Sequence, residues 1–254
     1  MTPESVTELE PQPQGMSEAS RLSGVFFEPK KAFEDIAARP FFWVPLILTI
    51  VAGLVFVTML GQHIGWSQII RQQMQSNPRS AQQMDQMPPD QRERMIEMQT
   101  RFVPFGFYAG ALIGGPVFFL IAGLILLGIT RGIMSAPIRF KQVFAILCYA
   151  SMPTIIQTIL TTVVMFLKKP EEFNLQNPLA FNPGAFMDPT TTSKFLYALA
   201  SAIDIFTIWR ILLIAVGLKA AGGRKLSFGG ALTAVLLPWV IIVLIRASLA
   251  NVFG

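Results

Sequence analysis

The chain has 254 residues, of which 52% are hydrophobic and only 14% are charged, and its formal net charge is +5. A soluble domain carries roughly a quarter of charged residues, so this composition argues against a soluble globular protein and for one that is dissolved in lipid. The basic residues lie in short clusters between apolar runs, as they do in membrane proteins, and therefore do not indicate nucleic-acid binding.

The N-terminal tail, residues 1–25, is acidic, contains prolines and glutamines, and lacks the apolar core of a signal peptide. Such a composition is typical of disordered segments. We predict a disordered acidic cytosolic tail that is not cleaved.

The next segment, residues 26–39, has the pattern of a short amphipathic helix. Phe33 and Ile36 fall on one side, whereas Lys30 and Lys31 largely take the other. We predict that this helix lies at the membrane surface. The alternative is a helix packed on the cytosolic loops of the protein itself.

Five stretches are apolar over enough residues to cross a bilayer, which takes ~20 residues at a rise of about 1.5 Å. Because each backbone N–H and C=O needs an internal partner in lipid, all five are predicted to be α-helices. The predicted fold is an all-α, polytopic membrane bundle with five transmembrane helices behind the amphipathic helix. The membrane domain covers residues 26–252, with spans at about 41–61, 105–130, 143–167, 195–218 and 228–252.

Two long polar loops, residues 62–104 and 168–194, connect spans. The first is rich in glutamine and methionine, and Pro88 and Pro89 are expected to split it into two helical pieces. Its methionines form either a soft binding surface or, as we favour, the packed face of a helical hairpin. The second loop has repeated helix-breaking Asn-Pro and Pro-Gly steps, and we predict an ordered cap on the helix ends, with a ligand gate as the alternative.

Basic residues are denser in the short segments before span one, between spans two and three, and between spans four and five than in the two long loops. Basic residues near spans favour the cytosolic side. We therefore predict a cytosolic N-terminus and an external C-terminus.

Three charged residues fall inside predicted spans, Asp204 and Arg210 in span four and Arg246 in span five. A charge at mid-bilayer costs roughly 2.5–3.5 kcal/mol on insertion scales. Because spans four and five run antiparallel, Asp204 and Arg246 are expected at a similar depth, where we predict an ion pair. Arg210 lies deeper, without an evident acidic partner. The three form either a polar cavity for a substrate or lipid headgroup or, as we favour, a structural pair with one snorkelling arginine.

Span two carries a glycine face, in which Gly106, Gly110 and Gly114 recur at intervals of four. Small residues at this spacing let another helix approach closely. We predict that this face packs against another helix of the same chain. Homodimerisation is the alternative.

The sequence has no motif for catalysis or nucleotide binding, since HExxH, GxSxG, the P-loop and the GxGxxG turn are all missing. The only cysteine, Cys148, lies in an apolar run and is predicted to be buried. The only histidine, His63, has no carboxylate cluster beside it, so no metal site is predicted. We predict a protein that is not an enzyme and takes no cofactor.

Apolar motifs stand in order along the chain, one before span one and one each in spans three and four. They are Pro29-x-x-x-Phe33, the YASMP of residues 149–153, and Phe206, Trp209 and Gly217 of FTIWRILLIAVG. On these motifs the chain resembles the bacterial branch of the Yip-one family, the Ypt/Rab-interacting-protein membrane domain, over about residues 20–252. The resemblance implies five spans with a cytosolic N-terminus, here in a bacterial inner membrane. Eukaryotic members bind prenylated small GTPases, but their acidic motifs have no clear match in this sequence, so that role is not carried over.

The leading hypothesis is a non-enzymatic adaptor or membrane-organising protein that binds other membrane proteins or lipids. Its predicted contact surfaces are the amphipathic segment, the Met/Gln-rich loop and the glycine face. The alternative is a small-molecule or lipid transporter or permease that uses Asp204, Arg210 and Arg246. A membrane enzyme is the least supported hypothesis.

Overall fold

The computed structural model describes residues 15–76, 82–84, 86–188 and 191–253. Over these ranges the chain is helical without any β-strand, and five of the described helices are long and apolar enough to cross a membrane. The predicted all-α polytopic fold with five spans is therefore confirmed. The predicted disordered tail lies outside the described residues up to residue 14, but from Glu18 onward the chain is already helical.

We number the helices in chain order. Those outside the five spans are α1 (Glu18–Phe27), α2 (Pro29–Ala38), α4 (Trp66–Ser76) and α8 (Lys194–Ala202). The spans are α3 (Trp43–His63), α5 (Pro89–Ile133), α6 (Phe140–Ala150) continued by α7 (Met152–Leu167), α9 (Ile205–Gly222) and α10 (Phe228–Phe253). Short π-helical turns lie within α5 at Gly110–Gly114 and Gly128–Ile133.

The second span is much longer than predicted. Helix α5 begins at Pro89 and extends for 45 residues, about 68 Å at 1.5 Å per residue, whereas the apolar core of a bilayer is about 30 Å thick. Its first turns therefore project out of the membrane, where they pack against α4. Part of the Met/Gln-rich loop between α4 and α5, residues 77–81 and 85, lies outside the described residues.

Helix α2 has the predicted amphipathic pattern, but its apolar face does not lie on the membrane. Phe33 and Ile36 are fully buried where α2 packs against α6 and α9, while Lys30 and Lys31 are exposed on the other side. The prediction that this face enters the membrane surface is therefore wrong. The apolar face of α2 instead packs on the apolar surface at the ends of α6 and α9, so it contacts protein where contact with lipid was predicted.

A glycine of α9 makes this packing possible. A Cβ placed on Gly217 would lie 2.4 Å from Cγ2 of Ile146 and 3.0 Å from Cδ1 of Phe33, which is closer than side chains normally approach. Phe33 and Ile146 therefore occupy the volume that a side chain at position 217 would need. Gly217, in the span-four motif, therefore allows α2 to pack closely against α9.

A cluster of ion pairs around the buried Arg21 joins α1 to α2. Arg21, only 4% exposed, donates from Nε to Oδ2 of Asp35 at 2.7 Å and from Nη1 to Oε1 of Glu18 at 2.8 Å. Asp35 also accepts from Arg39, and Glu18 accepts from the Tyr149 hydroxyl of α6. Burial alone would lower the pKa of Arg21 and raise that of Asp35, but hydrogen bonds and opposite charges outweigh it, so that the pKa of Arg21 is raised and that of Asp35 lowered.

Candidate functional site

The site begins at the N-terminal end of α9, where Asp204 caps the helix. Oδ1 of Asp204 accepts hydrogen bonds from the backbone N–H groups of Phe206 at 2.9 Å and Thr207 at 3.1 Å, and Oδ2 accepts from the Thr207 hydroxyl. Aspartate is among the best N-cap residues because its carboxylate satisfies N–H groups that the helix leaves free. The predicted fourth span is thereby split into α8 and α9, and Asp204 lies at the end of the span rather than inside it.

Arg210 follows on the same helix, about 9 Å deeper at 1.5 Å per residue. Its Nη2 donates to the hydroxyl of Thr207 at 3.4 Å, and Thr207 in turn donates to Asp204. No ion pair joins Arg210 to an acidic residue in the described part of the chain, and Thr207 instead links it to Asp204 along one face of α9. Nε of Arg210 is nevertheless buried, and no atom of the described residues accepts from it.

Arg246 does not join this pair. It is exposed on α10, and the described part of the chain contains no ion pair between Arg246 and Asp204, whose carboxylate is committed to the cap of α9. The predicted Asp204–Arg246 pair is therefore wrong. Arg246 lies about 27 Å along α10 at 1.5 Å per residue, near the far boundary of a bilayer, where an arginine can reach the headgroups.

An apolar cavity of about 210 Å³ lies between α5, the junction of α6 and α7, α9 and α10. Among its lining residues the polar side chains are Ser151, Thr207 and Arg210. Other lining residues are exposed on the lipid-facing side of the bundle, so the cavity opens sideways toward the membrane. These exposed residues are Phe118, Ile121, Ile125 and Ile242.

The junction that forms one wall of the cavity is a break in span three. The helix α6 ends at Ala150 and α7 starts at Met152, because Pro153 lacks the N–H that a continuous helix would require. Ser151 stands at this break and donates its hydroxyl hydrogen bond to the carbonyl of Cys148 at 2.7 Å. The predicted burial of Cys148 is observed as well.

A second, polar cavity of about 180 Å³ lies on the other side of the α9 cap. Its roof is the segment between α7 and α8, which covers the start of α9 through a hydrogen bond from the N–H of Ile205 to the carbonyl of Phe181 at 3.3 Å. Polar side chains dominate its lining. They are Gln157, Gln176, Asn177, Asn182, Ser201 and Asp204.

The glycine face of span two remains open. A Cβ at Gly106, Gly110 or Gly114 would meet no atom of the described residues within 4 Å. The prediction that this face packs within the chain is therefore wrong. The close approach of α3 to α5 instead uses a neighbouring face, where a Cβ on Gly53 would lie 3.5 Å from Cβ of Ala111.

Thr207 and Ser151 are the site residues that the sequence analysis missed. The spacing Asp204-x-x-Thr207 is a helix-start signal, and a serine two residues before Pro153 marks a helix break. Both signals were hidden by the apolar runs around them. Within the described residues, no group of three or more histidine, cysteine, aspartate or glutamate side chains is placed to hold a metal ion.

A protein-family model and a relative each match most of the chain. The model of the Yip1 domain matches residues 23–249. The chain is 26% identical over 242 residues to "Membrane protein YknW" of Bacillus subtilis (strain 168), and the alignment covers 93% of each chain. No solved structure matches the chain.

Proposed function

The chain belongs to the Yip1 domain family, and we propose that it is a non-enzymatic membrane-organising protein that binds a membrane lipid in the apolar cavity. The observation that carries this proposal is the guanidinium of Arg210, which lines a cavity that is otherwise mostly apolar. Its Nε lacks a hydrogen-bond partner among the residues that the structure describes. An anionic ligand that enters from the membrane satisfies an arginine in this position.

A phospholipid has both properties that the cavity requires. A guanidinium inside a membrane costs roughly 2.5–3.5 kcal/mol on insertion scales, and phosphate oxygens match its planar fork of donors. The walls suit an acyl chain, and an engineered cavity of ~150 Å³ already binds benzene. The larger cavity beside Arg210 therefore has room for the first part of a chain, whose remainder continues into the bilayer.

We place the protein in a bacterial inner membrane with its N-terminus in the cytosol and its C-terminus outside. The basic residues around α1 and α2 and between α9 and α10 support this orientation. In this orientation α2 lies on the cytosolic side and packs near Gly217, close to the C-terminal end of α9. The start of α9 is then on the other side of the membrane. In this orientation Arg210 lies in the half of the membrane that faces away from the cytosol and would bind a lipid of that leaflet.

The substitution Arg210→Gln tests the proposal. Glutamine keeps a polar side chain but removes the charge, so phospholipid retained by the purified protein is expected to fall about tenfold or more, since hydrogen bonds to charged groups are worth about 1.5–3 kcal/mol. The measurement is native mass spectrometry of the full chain, purified in mild detergent from membranes and supplied with phosphatidylethanolamine and phosphatidylglycerol.

Arg246→Gln is the matched control, because Arg246 is also a membrane-level arginine but does not line the cavity. It is expected to retain lipid like the unchanged protein. Equal retention by the Arg210 and Arg246 variants would overturn the proposal. Lipid movement between leaflets of liposomes that depends on Arg210 would instead favour the transport hypothesis.

A second candidate function, contact with another copy of the chain, is favoured by the open glycine face of Gly106, Gly110 and Gly114. Small residues at this spacing let two helices approach closely in a membrane, where packing rather than the hydrophobic effect drives association. Exposed aromatic side chains on the adjoining turns, Phe102 and Phe105, extend the available surface.

Gly110→Leu is expected to weaken such a dimer about tenfold or more, because the leucine separates two backbones that otherwise touch. The measurement is the dimer fraction from energy transfer between labelled copies in liposomes, at several protein densities. Gly115→Leu is the control, since a Cβ at position 115 would also meet no atom of the described residues within 4 Å and the position lies on a different side of α5. A dimer fraction unchanged by Gly110→Leu would exclude this face as the contact.

A further inference from the structure

Two cavities of opposite character meet at the first turn of α9. Asp204 and Phe206 line the polar one, and Thr207 and Arg210 line the apolar one. The polar cavity lies toward the membrane boundary, since Asp204 is the last residue before the span, whereas the apolar cavity extends down among the spans. The two cavities adjoin at the hydrogen bond between Thr207, which lines the apolar one, and Asp204, which lines the polar one.

The charges of this surface follow a fixed order along the membrane normal. The carboxylate of Asp204 is at the boundary and the backbone of Arg210 is about 9 Å deeper. The guanidinium of Arg210 reaches back to the hydroxyl of Thr207, which donates to Asp204, and the apolar walls follow below. A zwitterionic phospholipid has the complementary order, because its ammonium group is outermost, its phosphate is next, and its acyl chains are innermost.

The polar cavity also contains an unsatisfied acceptor. The Ser201 hydroxyl is buried, and none of the described residues bonds to it. The carboxylate of Asp204 accepts three hydrogen bonds, which leaves capacity for one more, because a carboxylate has about four lone-pair sites. A primary ammonium group supplies three N–H donors, whereas a quaternary ammonium supplies none.

Building on the proposed lipid site, we infer that its ligand is a phospholipid with an ethanolamine-type headgroup. The phosphate binds Arg210 and the primary ammonium binds Asp204 and Ser201, while an acyl chain occupies the apolar cavity. Thr207, which bridges Asp204 and Arg210, keeps the two charges at the separation that such a headgroup spans. A purely anionic headgroup places its negative charge near Asp204 without an ammonium between them, so it binds more weakly.

The experiment measures the binding of phosphatidylethanolamine and phosphatidylglycerol with identical acyl chains to the full chain in detergent, by native mass spectrometry with titration. The unchanged protein is expected to prefer phosphatidylethanolamine by about tenfold, the effect of one charge-assisted hydrogen bond. The decisive variant is Asp204→Asn, because asparagine caps a helix as well as aspartate. Its oxygen can accept from the N–H groups of Phe206 and Thr207 as Oδ1 does, while the charge is removed and the oxygen that accepts from the Thr207 hydroxyl becomes a donor.

In Asp204→Asn, affinity for phosphatidylethanolamine is expected to fall about tenfold while that for phosphatidylglycerol stays the same or rises. Arg210→Gln is expected to lose both lipids. Equal binding of both lipids to the unchanged protein, still dependent on Arg210, would overturn the headgroup inference and leave the lipid site intact. Binding that is independent of Arg210 would overturn the site itself. An unchanged lipid preference in Asp204→Asn would also overturn the inference.

Discussion

Replacing Arg21 with methionine is expected to release α1 and α2 from the bundle, at a cost of roughly 3–5 kcal/mol, the range for removing one partner of a buried ion pair. Methionine keeps an apolar stem of similar length but cannot neutralise Asp35 and Glu18, whose carboxylates both bind Arg21. Hydrogen–deuterium exchange in detergent micelles measures the release. Amides of α1 and α2 are expected to lose protection, while those of α10 keep it.

Lys31→Met is the matched control on α2. The pair between Lys31 and Glu28, at 3.2 Å, is exposed on both sides, and such pairs are worth about 0–1 kcal/mol. Its exchange is expected to resemble that of the unchanged protein. If Arg21→Met also kept full protection, packing alone would hold the two helices and the ion pairs would be dispensable.

The same variant is expected to change how docking responds to acid. Burial alone would raise the pKa of Asp35, but hydrogen bonds from Arg21, Arg39 and the N–H of Met16 lower it below the ordinary value of an aspartate. A carboxyl with a lowered folded-state pKa stabilises the fold above its unfolded value of about 3.9, and this contribution is lost as pH falls through the folded value. Release of α1 and α2 is therefore expected below about pH 4 in the unchanged protein. In Arg21→Met the carboxyl of Asp35 loses its largest pKa-lowering contact while burial still raises the pKa, so acid is expected to weaken docking less, because protonation then removes an unpaired charge. Fluorescence of Trp209, whose ring lies 5.7 Å from that of Phe26, reports the release.

The spans were predictable because their signal is strong and local. A run of ~20 apolar residues forms a helix in lipid whatever it packs against, since every backbone group must be bonded internally. The ends of the spans were harder to predict. Asp204 stands within an apolar run of the sequence, and only it and Ile203, both with non-helical backbone, separate α8 from α9. A charged residue in such a run is read as buried in the membrane unless its capping role is recognised.

The packing partners of each face were not predictable, for a different physical reason. An amphipathic pattern specifies that one side avoids water, but lipid and protein satisfy that requirement equally well. The same holds for the glycine face of α5, where small residues permit a close approach without specifying a partner. In the cluster around Arg21, bonded residues such as Arg21 and Asp35 are 14 or more positions apart in the sequence. No local sequence pattern indicates contact across such a separation.

Replacing Phe33 with aspartate is expected to prevent the membrane domain from folding, which is the largest effect anticipated for any single change. Loss of the buried ring alone costs about 3–5 kcal/mol, and the substitution also puts a carboxylate into a fully buried position where α2 packs against α6 and α9. Size-exclusion chromatography and the thermal midpoint in detergent measure the outcome. We expect aggregated protein, or a midpoint lowered beyond that of any exposed substitution.

Phe27→Asp is the matched control, because Phe27 is 83% exposed at the end of α1. A monodisperse Phe33→Asp protein with an unchanged midpoint would place this face of α2 outside the core and restore the membrane-surface hypothesis. If the expected result is obtained, any loss of binding to another membrane protein in Phe33→Asp reports unfolding rather than a lost contact. Contact through α2 must then be tested at Lys30 and Lys31, which lie on its exposed side and can be changed without disturbing the core.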